Sequence, residues 1–502
     1  MACYSRLPSI QRILAFCLAL LAGSGFIVGT YCSADEADIP KSEMQVGIAP
    51  GKGYTYLGTI TPRHARDIES SSWSIGAETM DRDFTVYKNW REYLGPLGIK
   101  KARIQSGWAK TEESAGRYGW HWLDEIVFDM VDQGVEPWIC LCYGNPIYPG
   151  GGDVGLGGGI IKSEEAFQAW ERYVGEVVRR YGQHVDEWEL WNEPRTGRGK
   201  GTAEYGRFVV RTARAVRAVQ PKATIIIAAG GSFDTVFAKE TLTWLRDQGK
   251  LGLVDLVTYH PYTANPDDAY GRVGELRRVI AAIDARIGVI QGENGCPSAP
   301  GGFGALGSLP WTERAQAKWA LRRLLGDLGR GIPSSYFAIC DMQYPDRINY
   351  KGLLKTNPDK TVAYRKPSYF AVQNLAAVFD DSLIRKRDFD ADIKSSEKAS
   401  RFSIFGYRKT DAGFVIALWR SDSIPGRRSQ LEYVDVALPD TEFREPVWVD
   451  LIFGRAFAVA DGLWRQDGRD AVFRQVPVYD SVVLLAERAA VGSLRRGSSD
   501  AR

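Results

Sequence analysis

The chain has 502 residues, of which 44% are hydrophobic and 25% charged, and its formal net charge at pH 7 is +3. This is the composition of an ordinary globular protein, and the length favours more than one domain. The near-neutral charge gives no reason to expect nucleic acid or an anionic membrane as a partner. The 15 tryptophans and 23 tyrosines lean slightly toward a carbohydrate partner, because sugar C–H faces pack well on aromatic rings.

Residues 1–34 predict a secretory signal peptide. Arg6 and Arg12 give it a basic start, residues 13–28 are mostly apolar, and residues 32–34 (Cys-Ser-Ala) are small enough for cleavage. The alternative is an uncleaved membrane anchor. We therefore expect a secreted or periplasmic protein, and no later stretch approaches the ~18 apolar residues of a membrane span.

Four of the seven cysteines lie beyond this predicted leader: Cys140, Cys142, Cys296 and Cys340. All four lie on or just after apolar runs, and their spacing does not suggest zinc. Buried thiols are the favoured interpretation, with a Cys296–Cys340 disulfide as the alternative. We expect neither a metal nor an organic cofactor.

Residues 73 to 379 alternate short β-rich runs with amphipathic segments of helical length. Strands are predicted at 73–77, 102–106, 135–142, 187–191, 223–229, 254–260, 287–292 and 335–340. Helices are predicted at 85–97, 122–133, 164–181, 203–219, 238–248, 268–285, 313–328 and 369–379. Eight such pairs predict an α/β fold, a (β/α)8 TIM barrel over residues 62–380. An open doubly wound sheet is the alternative, but no strand leads into a glycine-rich phosphate loop.

After Phe379 the pattern changes to alternating apolar and polar residues. Runs at 414–419, 433–437, 447–452, 472–476 and 481–485 are separated by polar turns. They predict a C-terminal antiparallel β-sandwich over residues 381–490, to which residues 44–61 add a strand or two. The tail from Val491 to Arg502 is predicted to be disordered.

Barrels of this kind carry their active sites at the C-terminal ends of the strands. Two glutamates end strands four and seven, which are not adjacent, so they face one another across the barrel mouth. Such a carboxylate pair can cleave a glycosidic bond. The polar candidates at the strand ends are Glu78, Arg103, Tyr143, Asn145, Asn192, Glu193, His260, Tyr262, Glu293 and Asp341.

The segment Trp191-Asn192-Glu193-Pro194, together with Glu293, resembles the pattern of clan A retaining glycoside hydrolases. The likeness covers the whole barrel, and the appended sandwich is similar to that of family 39 and related enzymes. The resemblance implies that Glu193 is the acid/base and Glu293 the nucleophile. It also implies that Asn192 contacts the sugar 2-hydroxyl.

Elementary electrostatics assigns supporting roles. A nucleophile must stay ionised, so Arg103 and the Tyr262 hydroxyl are candidates to stabilise Glu293. The acid must hold a proton near neutral pH, which a nearby anionic Glu293 favours. Glu189 is expected to pair with Arg103 inside the barrel, so Arg103 is either an ion-pair brace or a direct contact of the nucleophile. His260 is either a sugar contact or a buried hydrogen-bonding residue.

The sugar platform is less clearly marked. Trp108 and Tyr143 either stack on sugar or pack under loops. Many clan members place a tryptophan at the end of strand eight, which is absent here, so Phe337 or a loop is expected to replace it. Asp341 is a candidate partner of sugar hydroxyls.

The expected activity is hydrolysis of β-glycosidic bonds in oligo- or polysaccharides, with β-xylosidase-like exo action slightly favoured. The long loop at residues 143–159 could close one side of the cleft. An endo-acting β-glycanase and an inactive carbohydrate-binding protein are the alternatives. Side chains of the loops decide the sugar, and periodicity does not place them.

Overall fold

The computed structural model describes residues 48–156, 159–194, 201–397 and 399–495. Within these ranges eight parallel strands close into a barrel, which confirms the predicted fold class. The predicted leader, residues 1–34, lies outside the described residues. The barrel strands are, in chain order, Trp73–Gly76, Lys101–Gln105, Glu136–Leu141, Glu187–Leu190, Thr224–Ala228, Leu256–Tyr259, Gly288–Asn294 and Ser334–Phe337.

Helices follow each strand and form the outer layer of the barrel. They are Tyr87–Trp90, Leu94–Leu97, Trp108–Thr111, His121–Asp132, Glu164–Tyr181, Thr202–Val219, Thr235–Asp247, Tyr270–Ile283, Glu313–Leu328 and Pro367–Val378. Where one helix was predicted over residues 85–97, two short ones are found, with a 3-10 turn at Arg91–Tyr93 between them. Gly95 and Pro96 lower the helix propensity of this segment, and Gly98, at φ +80°, ends it.

Two helices begin and end where the sequence predicts. Ser163 accepts a hydrogen bond from the Ala166 amide at 3.1 Å and caps helix Glu164–Tyr181. Thr312 caps Glu313–Leu328 in the same way, through Ala315 at 3.2 Å. Each side chain satisfies a backbone donor that the first helical turn leaves free, so the start of the helix is encoded locally.

Two antiparallel sheets form the sandwich among the described residues. The smaller orders its strands Asp392–Lys394, Glu432–Leu438, Asp470–Val478 and Trp464–Asp467. The larger orders them Leu383–Arg385, Phe402–Lys409, Gly413–Arg420, Val483–Glu487, Pro446–Asp450, Arg455–Val459, Tyr54–Ile60 and Leu494–Arg495.

The two chain ends of the described region meet in the larger sheet. Tyr54–Ile60 pairs with Arg455–Val459 on one side and with Leu494–Arg495 on the other. The prediction of disorder from Val491 is therefore wrong for the first residues of the tail, because Leu494–Arg495 makes backbone hydrogen bonds as an edge strand. Residues 496–502 lie outside the described residues.

Helix Glu313–Leu328 is buried along nearly its whole length because the sandwich covers its outer face. Its charged residues therefore need partners. Lys318 donates to Asp480 of the sandwich at 2.7 Å, and Arg322 donates to Asp267 at 2.7 Å and to the Ser423 carbonyl at 3.0 Å. These bonds fasten the sandwich to the helix that follows the seventh strand.

Two short hairpins follow the eighth barrel strand. One joins Met342–Gln343 to Ile348–Asn349, and the other joins Leu354–Thr356 to Val362–Arg365. They were not predicted as strands, because runs of two to four residues carry too little periodicity. They lie at the C-terminal end of the eighth barrel strand, where the candidate site is expected.

The four cysteines beyond residue 34 are buried, and none forms a disulfide. The favoured interpretation of buried thiols is confirmed over the Cys296–Cys340 alternative. In the part of the chain that the structure describes, no helix is both long and apolar enough to cross a bilayer.

Candidate active site

Glu193 and Glu293 lie together at the C-terminal end of the barrel. One carboxylate oxygen of each lies within 4.8 Å of the other, and the His260 ring lies within the same distance of both. Glu193 is 9% exposed and Glu293 is 8% exposed, so both carboxyl groups are largely withdrawn from water. The two strand ends thus bring two carboxyl groups to one small space.

An unusual backbone turn presents Glu193. Trp191 has φ +73° and Glu193 has φ +44°, values that cost a residue with a side chain roughly 1–3 kcal/mol each. Packing holds the strained turn in place, because the Trp191 ring lies 5.9 Å from that of Tyr143 and 5.4 Å from that of Phe208. The turn directs the chain away from the strand axis directly before and after Asn192.

Arg103 is the fully buried cation beneath the pair. Its Nε and Nη2 donate to the two oxygens of Glu189 at 2.6 and 2.8 Å, which is the pairing that the sequence predicts. Its Nη1 donates to Glu78 at 2.5 Å and to Glu293 at 3.3 Å. Arg103 is therefore both an ion-pair brace and a direct contact of Glu293, so the two predicted roles coexist.

Glu78 shares Arg103 with two other carboxyl groups. Burial, helped by the charges of Glu293 and Glu189 and opposed by Arg103, raises the pKa of Glu78 to about 8. One guanidinium cannot neutralise three carboxylates, so Glu78 keeps its proton at neutral pH. Glu78 accordingly supports Arg103, and its contact with sugar stays a prediction.

Tyr262 completes the surroundings of Glu293. Its hydroxyl donates to Glu293 Oε1 at 2.5 Å. Burial and the charge of Glu293 raise the pKa of Tyr262 well above its usual value, so the phenol keeps the proton that it donates. Glu293 accordingly accepts hydrogen bonds from the two donors that the sequence names, and their stabilisation of its anion stays a prediction.

His260 lies between the two glutamates. Its Nδ1 shares a hydrogen bond with Glu193 Oε1 at 2.8 Å and lies 3.7 Å from Glu293 Oε2. Burial alone would lower the pKa of His260, but the charge of Glu293 and the hydrogen bond to Glu193 outweigh burial and raise it. Of the two predicted alternatives, the buried hydrogen-bonding role is the one the geometry shows.

Among the described residues, one group of side chains could hold a metal ion, and it consists of Glu193, His260 and Glu293. The 2.8 Å hydrogen bond between His260 and Glu193 already joins two of the three ligand atoms directly. A metal between them would have to break that bond, so the arrangement fits proton exchange better than coordination.

Asn192 is oriented by bonds at both ends of its amide. Its Oδ1 accepts from Arg103 Nη2 at 2.8 Å, and its Nδ2 donates to the Tyr143 hydroxyl at 2.8 Å. The guanidinium of Arg82 lies over the Tyr143 ring, with its central carbon 4.7 Å from the centroid of that ring. Asn192 therefore lies beside Glu193 in a fixed orientation, and Tyr143 positions it instead of stacking on sugar.

Two predicted substrate contacts are wrong because their side chains are buried under a loop. Trp108 stacks on Tyr148 at 5.5 Å and donates to Glu112 at 2.6 Å. Asn145 donates to the Glu112 carbonyl at 2.8 Å and accepts from the Ile147 amide at 3.2 Å. Both side chains shape the loop that follows the third strand and have no surface left for a sugar.

Asp341 is also wrongly predicted as a substrate contact. It is buried, and its carboxylate accepts from Lys366 Nζ at 2.6 Å and from the Gly352 amide at 3.0 Å. The pairing joins the end of the eighth strand to the start of helix Pro367–Val378. Lys366 is 25 residues away in sequence, so periodicity gives no sign of it.

Sequence reasoning missed an aromatic cluster beside the mouth. The Tyr344 ring packs against that of Phe84 at a tilt of 35°, with centroids 4.3 Å apart, and contacts the Phe303 ring edge-on with centroids 5.0 Å apart. Burial raises the pKa of Tyr344 to about 12, and the nearby charges of Glu293 and Glu78 act in the same direction. Phe84 and Tyr344 line a cleft of about 790 Å³, and this loop is a candidate for the aromatic surface that strand eight lacks.

Comparison with solved structures shows which known proteins share this architecture. A family 39 glycoside hydrolase from Bacteroides cellulosilyticus WH2 matches with a TM-score of 0.57 and 17% identity over 84% of this chain and 81% of that one. A monomeric β-xylosidase from Caulobacter crescentus CB15 matches at 0.55 and 16%, over 86% and 98%. The family 39 enzyme from Xanthomonas axonopodis pv. citri matches at 0.54 and 16%, over 87% and 97%. The chain is similar in fold to family 39 glycoside hydrolases.

The predicted resemblance to family 39 is thereby confirmed for the fold. No protein-family model and no curated protein sequence matches the chain. Identities of 16–17% carry the architecture and not the role of each residue, so the chemistry has to be argued from the site itself.

Proposed function

We propose that the protein is a retaining glycoside hydrolase that cleaves β-glycosidic bonds of oligo- or polysaccharides by double displacement. The observation that carries the proposal is the closeness of Glu193 and Glu293, whose nearest ligand atoms lie within 4.8 Å. Retaining enzymes hold their two carboxyl groups ~5–5.5 Å apart, whereas inverting enzymes need ~6.5–9.5 Å to admit a water molecule.

The unequal surroundings of the two glutamates support distinct roles. Glu293 accepts from Tyr262 and Arg103, which favours the anion that a nucleophile requires. It would attack the anomeric carbon while the bond from that carbon to the leaving oxygen breaks. Glu193 would give its proton to that oxygen, then take a proton from the water that releases the sugar from Glu293.

Exo action of a β-xylosidase kind is the finer part of the proposal. The loop after the third strand is folded back on itself, with hydrogen bonds from the Gly144 amide to Asp153 and from the Asn145 amide to Gly151. A folded wall of this kind favours a cleft closed at one end. The similarly folded protein from Caulobacter crescentus is a β-xylosidase, which supports the same substrate class.

The test compares the wild-type protein with Glu293→Ala on a panel of 4-nitrophenyl β-glycosides that begins with the xyloside. We expect turnover by the wild type and a loss of about 10,000-fold or more in the variant, because no other group can form the glycosyl-enzyme. Glu275→Ala, on the exposed face of helix Tyr270–Ile283, is the control and should keep full activity.

Proton NMR of the first-formed sugar and the product sizes from xylo-oligosaccharides complete the test. Retained configuration and release of single sugars from a chain end are expected. Inverted configuration would contradict double displacement, and internal cleavage would favour the endo-acting alternative. A wild type that binds sugars but turns over none would make the protein an inactive carbohydrate-binding protein.

A further inference from the structure

Lys351 is a buried cation on the wall of the same barrel mouth. It follows the hairpin strand Ile348–Asn349 and is only 1% exposed. Its Nζ lies 5.5 Å from the centroid of the Tyr262 ring, whose hydroxyl holds Glu293. The Lys351 ammonium therefore lies beside the space between the two glutamates.

The ammonium of Lys351 lacks the partner that comparable groups have. The other two buried lysines, Lys318 and Lys366, contact Asp480 at 2.7 Å and Asp341 at 2.6 Å. In the described part of the chain Lys351 Nζ has no carboxylate within 4.0 Å, and its one hydrogen bond is to the Phe303 carbonyl at 3.4 Å. Burying an unpaired charge costs several kcal/mol, so folding alone does not explain its presence.

A second donor points to the same spot. The Asn349 side chain accepts from the Lys351 amide at 3.2 Å, and its Nδ2 finds no acceptor among the described residues. A Cβ placed on Gly304 would lie 3.1 Å from Lys351 Nζ and 3.5 Å from Asn349 Nδ2. The two donors therefore lie close together beside Gly304, where even a Cβ atom would crowd Lys351 Nζ.

We propose that Lys351 and Asn349 form a subsite for an anionic substituent, a carboxylate or a sulfate, on the sugar that binds beside Glu293. The inference rests on the proposed retaining glycosidase function, and it replaces the xylosides of the finer part of that proposal with acidic sugars. The Lys351 ammonium and the Nδ2 amino group of Asn349 can only donate hydrogen bonds, so they suit a ligand group that only accepts them. A negatively charged acceptor strengthens each of these hydrogen bonds. The bound anion would supply the countercharge that Lys351 lacks in the folded chain.

The protonation state of Lys351 and the charge of nearby Glu293 are compatible with an anion subsite. Burial lowers the pKa of Lys351 to about 8, while the charge of Glu293 acts in the opposite direction. The ammonium is therefore still mostly protonated at neutral pH and able to bind an anion. Glu293 does not fill the subsite, because its oxygens are bonded to Tyr262 and Arg103.

The experiment measures kcat/KM on matched 4-nitrophenyl β-glycosides that differ only in the charged group. The pairs are glucuronide against glucoside and galacturonide against galactoside. The glucoside 6-sulfate separates a sulfate from a carboxylate, and the xyloside lacks the carbon that carries either group. We expect the wild type to prefer an acidic member over its neutral counterpart by about tenfold or more, the effect of one charge-assisted hydrogen bond.

Lys351→Met should reduce this preference to about one or less, because kcat/KM should fall further on the acidic glycoside than on its neutral counterpart. Lys351→Arg keeps the charge and should retain most of the preference. Lys355→Met is the matched control, since Lys355 lies in the next hairpin strand, its side chain is 30% exposed, and its Nζ is 3.8 Å from Asp341. Its substitution should leave the preference unchanged.

A wild type that favours the neutral member of every pair, or a preference that survives Lys351→Met, would overturn the subsite and leave the proposed function intact. Thermal unfolding of each variant shows whether a loss reflects misfolding. If no glycoside in the panel is hydrolysed, the proposed function fails instead. Calorimetric titration of the wild type with glucuronate, galacturonate and glucose then decides the subsite, which requires binding of an acidic sugar that Lys351→Met abolishes.

Discussion

The carboxyl group of Glu293 accepts hydrogen bonds from Tyr262 and Arg103, whereas that of Glu193 shares, among the described residues, one hydrogen bond with the imidazole of His260. Both residues end a barrel strand, and both are about equally buried. The difference lies in their neighbours. Donors that keep their protons favour an anion, while a titratable ring can exchange a proton with its partner.

This comparison teaches that equivalent strand ends can carry opposite halves of a reaction. Backbone geometry differs as well, since Glu193 follows a turn with positive φ at Trp191 and itself has φ +44°, whereas Glu293 lies within strand Gly288–Asn294, where the pairing with the eighth barrel strand shifts register. Each variant described next changes either Glu193 or the surroundings of Glu293, and it leaves the other glutamate and its contacts intact.

Glu193→Gln should separate the two roles most sharply. Loss of the acid/base should lower kcat by about 100- to 10,000-fold on substrates with poor leaving groups, and much less where the leaving group needs no proton. Added azide should restore turnover and yield a glycosyl azide, because it attacks the glycosyl-enzyme without a general base. Rates measured across aryl glycosides of increasing leaving-group pKa test this expectation, and a uniform loss without azide rescue would contradict it.

Tyr262→Phe tests the side of Glu293. The substitution removes the 2.5 Å hydrogen bond to the nucleophile and keeps the ring in place. A hydrogen bond to a charged group contributes ~1.5–3 kcal/mol, so kcat/KM should fall by roughly 10- to 100-fold. Tyr259→Phe is the control, because Tyr259 is buried at the end of the strand that precedes Tyr262 and its hydroxyl has no partner in the described residues. Equal losses of kcat/KM in both variants would show that the hydrogen bond from the Tyr262 hydroxyl to Glu293 makes no specific contribution to catalysis.

Local signals explain the parts of the fold that the sequence predicts well. Helix Glu164–Tyr181 could be placed because Ser163 caps it and its apolar residues repeat along one face. Glu193 and Glu293 could be paired because counting strands locates them at one end of the barrel. Arg103 and Glu189 lie on the second and fourth barrel strands, on either side of the third, and their inward orientation follows from the strand period.

The missed residues depend on contacts between distant segments. Asp341 pairs with Lys366, and Trp108 is covered by Tyr148 from the loop after another strand. Lys351 reaches the mouth only because the hairpins after strand eight turn back over the barrel. Loop conformations of this kind are fixed by tertiary packing, which short-range patterns do not encode.

The smallest effect should come from Glu78→Gln, which removes the third carboxyl group around Arg103. Glu78 binds a proton up to about pH 8 in the folded protein but only to about 4.5 as an ordinary glutamate. Between these values the folded state holds more protons than the unfolded state, so the free energy of unfolding should fall as pH rises. A glutamine at position 78 cannot ionise, and the variant should lose this part of the pH dependence.

Urea unfolding at several pH values across this window checks the expectation. The stability of Glu78→Gln relative to wild type should rise with pH, while Glu187→Gln, a partly exposed residue paired with Lys101 at 2.7 Å, should not show this trend. Parallel curves for wild type and Glu78→Gln would mean that Arg103 neutralises all three carboxylates. In that case Glu78 would be ionised beside Glu293. The surroundings of Glu293 and Glu193 would then differ in their hydrogen-bond donors alone.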